Sequence, residues 1–582
     1  MTPTALNGRT RANALAAMTD SEGLDVLVIG GGVTGAGIAL DATTRGLRTG
    51  IVEMQDWAAG TSSRSSRLIH GGLRYLYNLD FALVAEALAE RGLLLEKLAP
   101  HLVQPQPFLW PLKTPVVERG YSAVGVGLYD TLAHVGAGGG AGVPAQKHYS
   151  RKRSLEIFPD LRPDALVGSI RFYDARVDDA RLVLGLIRTA SGFGAYAASR
   201  TQVVGLVRDG SRVVGAEVAD LETGQHSIIK ASRIISATGV WTEDTERLAD
   251  IGDDRGLRVM ASKGIHLVVD RDRIKGETGL FLRTEKSVLF IIPWQRYWVI
   301  GTTDTVWEPD RLHPVATAAD IDYVLEHANS VLSSNLTRED VVSTWAGLRP
   351  LLQPAASTSS TKVSREHTVS EVSPGLIVIA GGKLTTYRAM AEDAVDFALG
   401  SVTAKQIPSV TADTPIVGGS ALAAARADLA RRAETMDWDD ARVEHLIGRY
   451  GSTVAELFEL IADRPEWGLP LKAAPAYLRA EVAYAVLAEG AFHLEDILLH
   501  RLRLSVETRD HGVDALAEIS AIVAPLLGWD DEQIAREEQN WRDRVAAMEA
   551  AAREGDDESA TKARLAVEDL VPLVDLAGQT RD

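Results

Sequence analysis

The chain has 582 residues, a formal net charge of −18 and no cysteine. With 46% hydrophobic residues, it is long enough to bury the cores of about two or three domains. The acidic balance argues against a nucleic-acid partner, because phosphate contacts need clustered Lys and Arg. The lack of cysteine excludes disulfide scaffolds, thiolate catalysis, cysteine-ligated iron–sulfur clusters and a flavin attached through cysteine.

The first part of the chain has no pattern that predicts a folded or targeting segment. Residues 1–22 contain no sustained apolar core, so we expect no secretory signal and interpret them as a disordered tail. The longest apolar stretch, residues 26–40, is interrupted by glycines and is too short to span a bilayer. We therefore expect a soluble or peripheral protein.

Residues 25–53 form a complete nucleotide-binding unit. An apolar strand runs into a Gly-x-Gly-x-x-Gly turn, an Ala-rich helix follows, and a second strand ends on an acid. The glycines permit a tight turn, close approach of a pyrophosphate and close packing of helix on strand, and the acid can accept hydrogen bonds from a ribose hydroxyl. The pattern predicts an adenine dinucleotide. Its predicted binding residues are Gly30, Gly31, Gly32, Gly35 and Glu53.

The segment GTSSRSSRLIHGGLRYL, residues 60–76, combines small hydroxyl residues, glycines and arginines with an apolar side. Such a segment can bring hydroxyls, N–H groups and guanidinium donors close to an anionic cofactor and an anionic substrate. A later strand ends in Ala237-Thr238-Gly239, where bare backbone would let a dinucleotide pass. No second complete fingerprint is present, which favours a flavin over a bound nicotinamide.

The rest of the chain divides into regions of different character. Residues 23–400 alternate short Val/Ile strands with helices, which predicts an α/β, Rossmann-like domain. Closely spaced strands within about 101–170 and 255–345 predict an inserted substrate domain with a mixed or antiparallel sheet. Residues 415–550 are rich in helix formers and predict an all-α C-terminal domain, and residues 551–582 are interpreted as a charged, frayed tail.

Cations and histidines stand at the ends of predicted elements in four short motifs. SKGIHLVVD carries Lys263 and His266, WAGLRPLL carries Arg349, KVSREHTV carries Arg365 and His367, and IAGGKLTTYR carries Lys383. Together they indicate a site for an anionic substrate, a phosphate or a carboxylate, although spacing alone does not establish that they converge. No metal site is predicted. Further predicted cofactor residues are Thr61, Ser62, Ser63, Gly239, Gly382 and Thr385.

The ordered motifs GGGVTGAG, GTSSRSSRLIHGGLRYL, ATGVW, SKGIHLVV, GLRPLL, SREH and GGKLTTYR resemble those of the FAD-dependent glycerol-3-phosphate dehydrogenases, over roughly residues 25–530. This family lies within the D-amino-acid-oxidase-like flavoproteins. The resemblance implies noncovalent FAD, oxidation of sn-glycerol 3-phosphate to dihydroxyacetone phosphate, and electron delivery to a membrane quinone.

The resemblance also implies roles for individual residues. Either His266 or Arg349 would act on the C2 hydroxyl, and His266 is the better base because its unperturbed pKa lies near neutrality. The residues expected to bind the substrate are Arg74, Tyr75, Arg365 and Lys383.

Two other functions remain open at this point. One is a glycerol-3-phosphate oxidase that passes electrons to O₂, and the other is a non-catalytic FAD-binding or sensing protein whose helical domain recruits a partner. We expect a cytoplasmic protein, with peripheral contact at the inner face of the plasma membrane and a homodimer both left open. Residues 101–132 mix aromatic residues, prolines and cations, which fits either a lipid interface or a cap over the FAD domain.

Overall fold

The computed structural model describes residues 2–72, 80–114, 125–129, 131, 143–250, 256–284, 288–352 and 367–576. Within these ranges the strands form two sheets, and a helical domain follows them in the chain. The described α-helices before the helical domain are Gly8–Met18, Val33–Thr44, Phe81–Leu93, Arg151–Ile157, Asp179–Gly192, Thr242–Arg247, Ala318–Asn329, Tyr387–Leu399 and Ser401–Gln406.

The first sheet, called the nucleotide sheet, has eight strands among the described residues. In order across the sheet they are Tyr196–Ala198, Thr49–Val52, Leu24–Ile29, His226–Ser236, Leu376–Gly381 and His367–Ser373. In addition, Arg212–Asp220 pairs with His226–Ser236, and Thr201–Asp209 pairs with Arg212–Asp220. The first five are parallel, with Val28 opposite both Ile51 and Ile235. Leu24–Ile29, Thr49–Val52 and Leu376–Gly381 are almost entirely buried, which explains why they are mainly apolar runs instead of alternating patterns.

The second sheet, called the substrate sheet, has ten strands in the described part of the chain. Across the sheet they are Thr305–Val306, Val259–Asp270, Tyr297–Gly301, Val288–Trp294, Gly279–Arg283, Gln104–Leu112, Gly168–Arg176 and Leu68–Ile69, with Val341–Leu352 on Val259–Asp270 and Lys147–Ser150 on Gly168–Arg176. Gly279–Arg283 and Gln104–Leu112 run parallel, whereas the other described pairs are antiparallel. The predicted mixed sheet is confirmed.

The helical domain packs around one apolar core that includes Leu446, Tyr484 and Trp541. Its described α-helices are Leu422–Met436, Asp440–Tyr450, Val454–Asp463, Arg479–Leu487, Leu494–Asp496, Leu504–Glu507, Leu516–Leu527, Asp531–Ala551 and Asp557–Arg564. The predicted fold class is therefore confirmed: a Rossmann-like α/β region, a mixed sheet and an all-α C-terminal domain. No helix in the described part of the chain has the length and apolar character needed to cross a bilayer.

The interpretation of residues 1–22 as a disordered tail is wrong. Gly8–Met18 is a helix whose N-cap, Asn7, accepts a hydrogen bond from the Thr10 N–H. Arg11 is buried and forms an ion pair of 2.5 Å with Asp220. The helix is thus fixed by a partner far away in the chain, which composition does not reveal.

The interpretation of residues 551–582 as a frayed tail is also wrong for the described part, which extends to residue 576. Asp557–Arg564 is a helix capped by Asp556, and Leu570 is buried. Asp569 Oδ2 lies 2.9 Å from Nε2 of His313. The charged residues of this segment form specific ion pairs, so a high charge content here does not mean disorder.

The lipid-interface interpretation of residues 101–132 is wrong for its aromatic part. Phe108, Leu109 and Trp110 belong to the strand Gln104–Leu112, inside the substrate sheet, and Trp110 is only 2% exposed. Phe108 packs against Phe172 and Phe290 with ring centroids 5.8 and 5.5 Å apart. These side chains form core and do not face a membrane. Residues 115–124, 130 and 132 lie outside the described residues.

Candidate active site

A cavity of about 1300 Å³ is lined by the ends of strands from both sheets. The predicted site residues that line it are Gly30, Gly32, Glu53, Thr61, Ser62, Gly239, His266, Arg349, Gly382, Lys383 and Thr385. Gly31, Gly35 and Ser63 are not among the lining residues. Arg74, Tyr75 and Arg365 lie outside the described residues, so their positions relative to the cavity stay predictions.

The glycines of the first motif have different physical roles. Gly30 has φ +108°, and a Cβ there would lie 2.7 Å from the Ala237 carbonyl oxygen. A Cβ on Gly35 would lie 1.9 Å from the Gly30 carbonyl oxygen, so this glycine permits the helix to pack on the strand. Gly32 caps the 12-residue helix Val33–Thr44 and borders the cavity. The helix N-terminus and bare backbone fit the pyrophosphate of a dinucleotide.

Glu53 directly follows the strand Thr49–Val52 and lines the same cavity. Its carboxylate oxygens accept hydrogen bonds from the N–H groups of Gly31 (2.6 Å) and Gln55 (2.8 Å). Burial raises the pKa of this carboxyl, although both backbone donors act in the opposite direction. The two donors fix the orientation of the carboxylate, whose remaining lone pairs are suited to ribose hydroxyls.

The 3₁₀ turn Thr61–Ser63 shapes the next part of the wall. Ser62 Oγ accepts a hydrogen bond of 2.9 Å from the Val33 N–H, and Thr61 Oγ1 donates one of 2.6 Å to the Leu348 carbonyl. Ser63 is buried, and its carbonyl accepts a hydrogen bond of 2.9 Å from Arg503 of the helical domain. The hydroxyl-rich motif therefore joins the nucleotide helix, the substrate sheet and the helical domain.

His266 lies on the long strand Val259–Asp270, with Nε2 2.8 Å from Ser66 Oγ. Its ring stacks on Trp345, with centroids 4.9 Å apart and planes 15° apart. Nδ1 has no hydrogen-bond partner among the described residues. Burial, with the positive charges of Arg349 and Arg67, holds the pKa of His266 well below its usual value. The imidazole is consequently neutral near pH 7 and one ring nitrogen is available as a base.

Arg67 and Trp345 form a layer behind His266 that the sequence analysis missed. The Arg67 guanidinium lies 4.7 Å from the Trp345 ring centroid and 5.0 Å from that of Trp294. Arg67 is 2% exposed, and Nη1 donates a hydrogen bond of 2.9 Å to Tyr297 Oη. Arg67 and Trp345 each stand in a motif that the sequence indicates, but their stacking depends on how segments that are distant in sequence come together.

Arg349 lies on Val341–Leu352, the strand paired with the one that carries His266. Its Nη2 donates hydrogen bonds of 3.1 Å to Thr302 Oγ1 and to the Thr303 carbonyl. Gly264 makes room for it, because a Cβ there would lie 2.4 Å from Nη2. The pairing of two strands thus brings a neutral base and a guanidinium to one cavity.

The motif GGKLTTYR contributes a third functional side chain to the cavity, that of Lys383. Gly382 has φ +82°, Lys383 lines the cavity, and Thr385 Oγ1 accepts a hydrogen bond of 3.0 Å from the His70 N–H. Two other residues of the predicted cluster, Lys263 and His367, contact acidic side chains and are not among the residues that line the cavity. Lys263 is buried in ion pairs with Asp320 and Asp557, and His367 Nε2 lies 2.8 Å from Asp393 Oδ2.

Comparison with known proteins agrees with this geometry. The sequence matches the family FAD dependent oxidoreductase over residues 25–396 and the family C-terminal domain of alpha-glycerophosphate oxidase over residues 409–534. Glycerol-3-phosphate dehydrogenase 2 of Mycobacterium tuberculosis is 48% identical over 94% of this chain and 92% of that protein. The mitochondrial glycerol-3-phosphate dehydrogenase of Homo sapiens is 36% identical over 90% of this chain and 73% of that protein.

A solved structure extends the similarity to three dimensions. The glycerol-3-phosphate dehydrogenase from Bacillus halodurans, complexed with FAD, is 30% identical and has a TM-score of 0.73, with 93% of this chain and 97% of that chain covered. The coverage includes both the α/β region and the helical domain. The chain therefore belongs to the FAD dependent oxidoreductase family and, within it, to the FAD-dependent glycerol-3-phosphate dehydrogenases.

Proposed function

We propose that this protein oxidises sn-glycerol 3-phosphate to dihydroxyacetone phosphate and passes the electrons to a quinone. The observation that carries the proposal is one cavity shared by the glycine motif, His266, Arg349 and Lys383. A dinucleotide site alone would need neither a neutral buried base nor two cations beside it. The names of the relatives in Mycobacterium tuberculosis and Homo sapiens support the same substrate.

Gly30, Gly32 and Glu53 would hold FAD noncovalently, and the bound flavin would supply the acceptor for the hydrogen and the two electrons that leave C2 of the substrate. His266 takes the proton of the substrate's C2 hydroxyl, because its lowered pKa keeps the imidazole unprotonated and able to accept. The same low pKa makes it a weaker base than a histidine of ordinary pKa, so the transfer also depends on the positive charge of Arg349. Arg349 stabilises the negative charge that develops on the C2 oxygen. Stacking on Trp345 and contact with Ser66 hold the imidazole in one orientation, so little reorganisation is needed when the proton moves.

The phosphate of the substrate is bound by cations. We assign this role to Lys383, which lines the cavity, and to Arg74 and Arg365 on the basis of their motifs. Guanidinium groups bind phosphate oxygens in pairs of parallel hydrogen bonds, which fixes the orientation of the substrate as well as its charge. Tyr75 completes the proposed set by positioning the glycerol part.

An anaerobic spectrum of the purified protein tests the reaction. Addition of sn-glycerol 3-phosphate should bleach the visible flavin band, whereas glycerol at the same concentration should not, because it lacks the phosphate that the cations bind. His266→Gln should retain the flavin and bleach far more slowly. A wild-type flavin that stays oxidised with sn-glycerol 3-phosphate would contradict the proposed substrate and favour the binding or sensing function.

The electron acceptor is tested on the reduced protein. We propose a membrane quinone and peripheral contact with the inner face of the plasma membrane, because a lipid-soluble acceptor is reached at the bilayer surface. A quinone analogue should reoxidise the flavin much faster than air does, and vesicles that contain a quinone should bind the protein in a sedimentation assay. Faster reoxidation by air with release of peroxide would instead identify an oxidase. Light scattering would decide whether the protein is a homodimer.

A further inference from the structure

The C-terminal segment, residues 565–576, reaches the cofactor cavity although it lies far from the nucleotide motif in sequence. Leu573, Val574, Asp575 and Leu576 line the cavity. These residues lie beyond residue 534, where the match to the second family ends. They are therefore a feature of this chain that the family match does not account for.

The segment meets the cavity at the end where Glu53 lies. The Gln202 side chain donates a hydrogen bond of 3.0 Å to the Val574 carbonyl and accepts one of 2.7 Å from the Val574 N–H. The residue before Gln202, Thr201, donates its N–H to the Glu53 carbonyl at 2.7 Å. An acid at this strand end binds the ribose of the adenosine half of a dinucleotide. The segment therefore borders the adenosine end and not the end with His266.

Contacts outside the cavity hold the segment in place. Arg536 donates a hydrogen bond of 3.0 Å to the Leu570 carbonyl, and Asn540 donates one of 3.1 Å to the Glu568 carbonyl. Both donors lie on the helix Asp531–Ala551. Leu570 is 6% exposed. The segment is thus anchored to the helical domain by groups that do not line the cavity.

We propose that the C-terminal segment forms the outer wall of the adenosine site and slows the release of FAD. Leu573, Val574 and Leu576 add apolar surface to a wall that already contains Val203 and Val204, which suits the flat, apolar faces of an adenine ring. The helical domain thereby contributes to cofactor retention through the chain that follows it. This inference depends on FAD binding and not on the identity of the substrate, so the two can fail separately.

The test measures the rate at which the holoenzyme releases FAD, from the fluorescence of the free flavin. The double variant R536A/N540A removes two of the anchoring hydrogen bonds without altering a cavity residue, while the contacts of Gln202 with Val574 and of His313 with Asp569 remain. Truncation after Arg564 removes the segment itself. The truncated protein should release FAD at least about tenfold faster than the wild type, and R536A/N540A should release it faster by a smaller factor. The matched control is Arg542→Ala on the same helix, because Arg542 bonds only to Glu538 among the contacts described for it. The control should release FAD at the wild-type rate.

Hydrogen exchange provides a second measurement that does not depend on any variant. The peptide that covers the C-terminal segment should exchange more slowly in the holoenzyme than in the apoprotein, because FAD would pack against it. Equal exchange in the two forms, or FAD release from the truncated protein at the wild-type rate, would overturn the proposal. Slower FAD release in the variants would also overturn it, since the segment would then compete with the cofactor for the site.

Discussion

The charge on His493 should make a measurable contribution to stability where the helical domain meets the nucleotide-binding region. Its Nδ1 lies 2.7 Å from Glu537 and its Nε2 lies 3.1 Å from Glu222. Burial alone would lower the pKa of His493, but the hydrogen bonds to both carboxylates raise it to about 9. Asp496, on the same side, adds to the negative field. The folded protein therefore binds a proton that the unfolded chain releases near its ordinary pKa.

The size of this contribution follows from the two pKa values. A rise from 6.5 to about 9 corresponds to about 3 kcal/mol, at roughly 1.4 kcal/mol per pH unit. Because the pKa is raised in the folded state, the contribution is fully present below about pH 6.5 and is lost as the pH rises through about 9. At neutral pH most of it remains, since the folded imidazole is still protonated.

The assay compares the free energy of unfolding of the wild type and His493→Gln, by urea denaturation between about pH 6 and pH 10. The difference should be about 3 kcal/mol larger at the acidic end than at the alkaline end, because only the wild type loses the charge. His226→Gln is the matched control: His226 pairs with Glu217 at 3.2 Å but is largely exposed, so we expect less than about 1 kcal/mol. A difference for His493→Gln that stays constant with pH would refute the reasoning.

Four further outcomes test the site and the ion pair that supports it. His266→Gln should slow flavin reduction by about 10²–10⁴-fold with unchanged FAD content, and the wild-type kcat should show no histidine titration between about pH 6 and pH 8 because burial beside Arg349 keeps the pKa of His266 low. Stopped-flow spectra and a pH–rate profile check both. Arg365→Ala should raise KM for sn-glycerol 3-phosphate about 10–100-fold while FAD stays bound; an unchanged KM would remove Arg365 from the phosphate site. Arg503→Met should cost about 3–5 kcal/mol in urea denaturation, because Asp179 would lose its buried partner.

The nucleotide site was predictable because its physics is local. A tight turn at Gly30, close packing at Gly35 and an acid at Glu53 are requirements on neighbouring residues, so the sequence alone indicates them. The parallel pairing of Val28 with Ile51 lies within the same unit, and both strands are short apolar runs of the kind that buried parallel strands contain.

The rest of the site depends on contacts between residues that are distant in sequence. Composition assigned residues 1–22 and 551–582 to tails, yet Arg11 pairs with Asp220 and Asp569 with His313. Lys263 and His266 stand in the same motif, and the sequence alone does not distinguish them. Successive residues of a strand point to opposite faces, so these two side chains lie on different faces. Lys263 forms ion pairs with Asp320 and Asp557, away from the cavity. The two-residue period of a strand indicates which side chains share a face, but it does not indicate which of the two faces contacts the ligand.

The helical domain holds the proposed base in place without lining that part of the cavity. Arg503 forms an ion pair with Asp179, whose other carboxylate oxygen accepts hydrogen bonds from the N–H and Oγ–H of Ser65 at 3.0 and 2.6 Å. The next residue, Ser66, places its hydroxyl 2.8 Å from Nε2 of His266. Burying either charge without its partner is costly, so the ion pair favours the docking geometry of the domain that keeps the two residues in contact. That geometry in turn fixes Ser65 and Ser66, and with them the Nε2 edge of the imidazole.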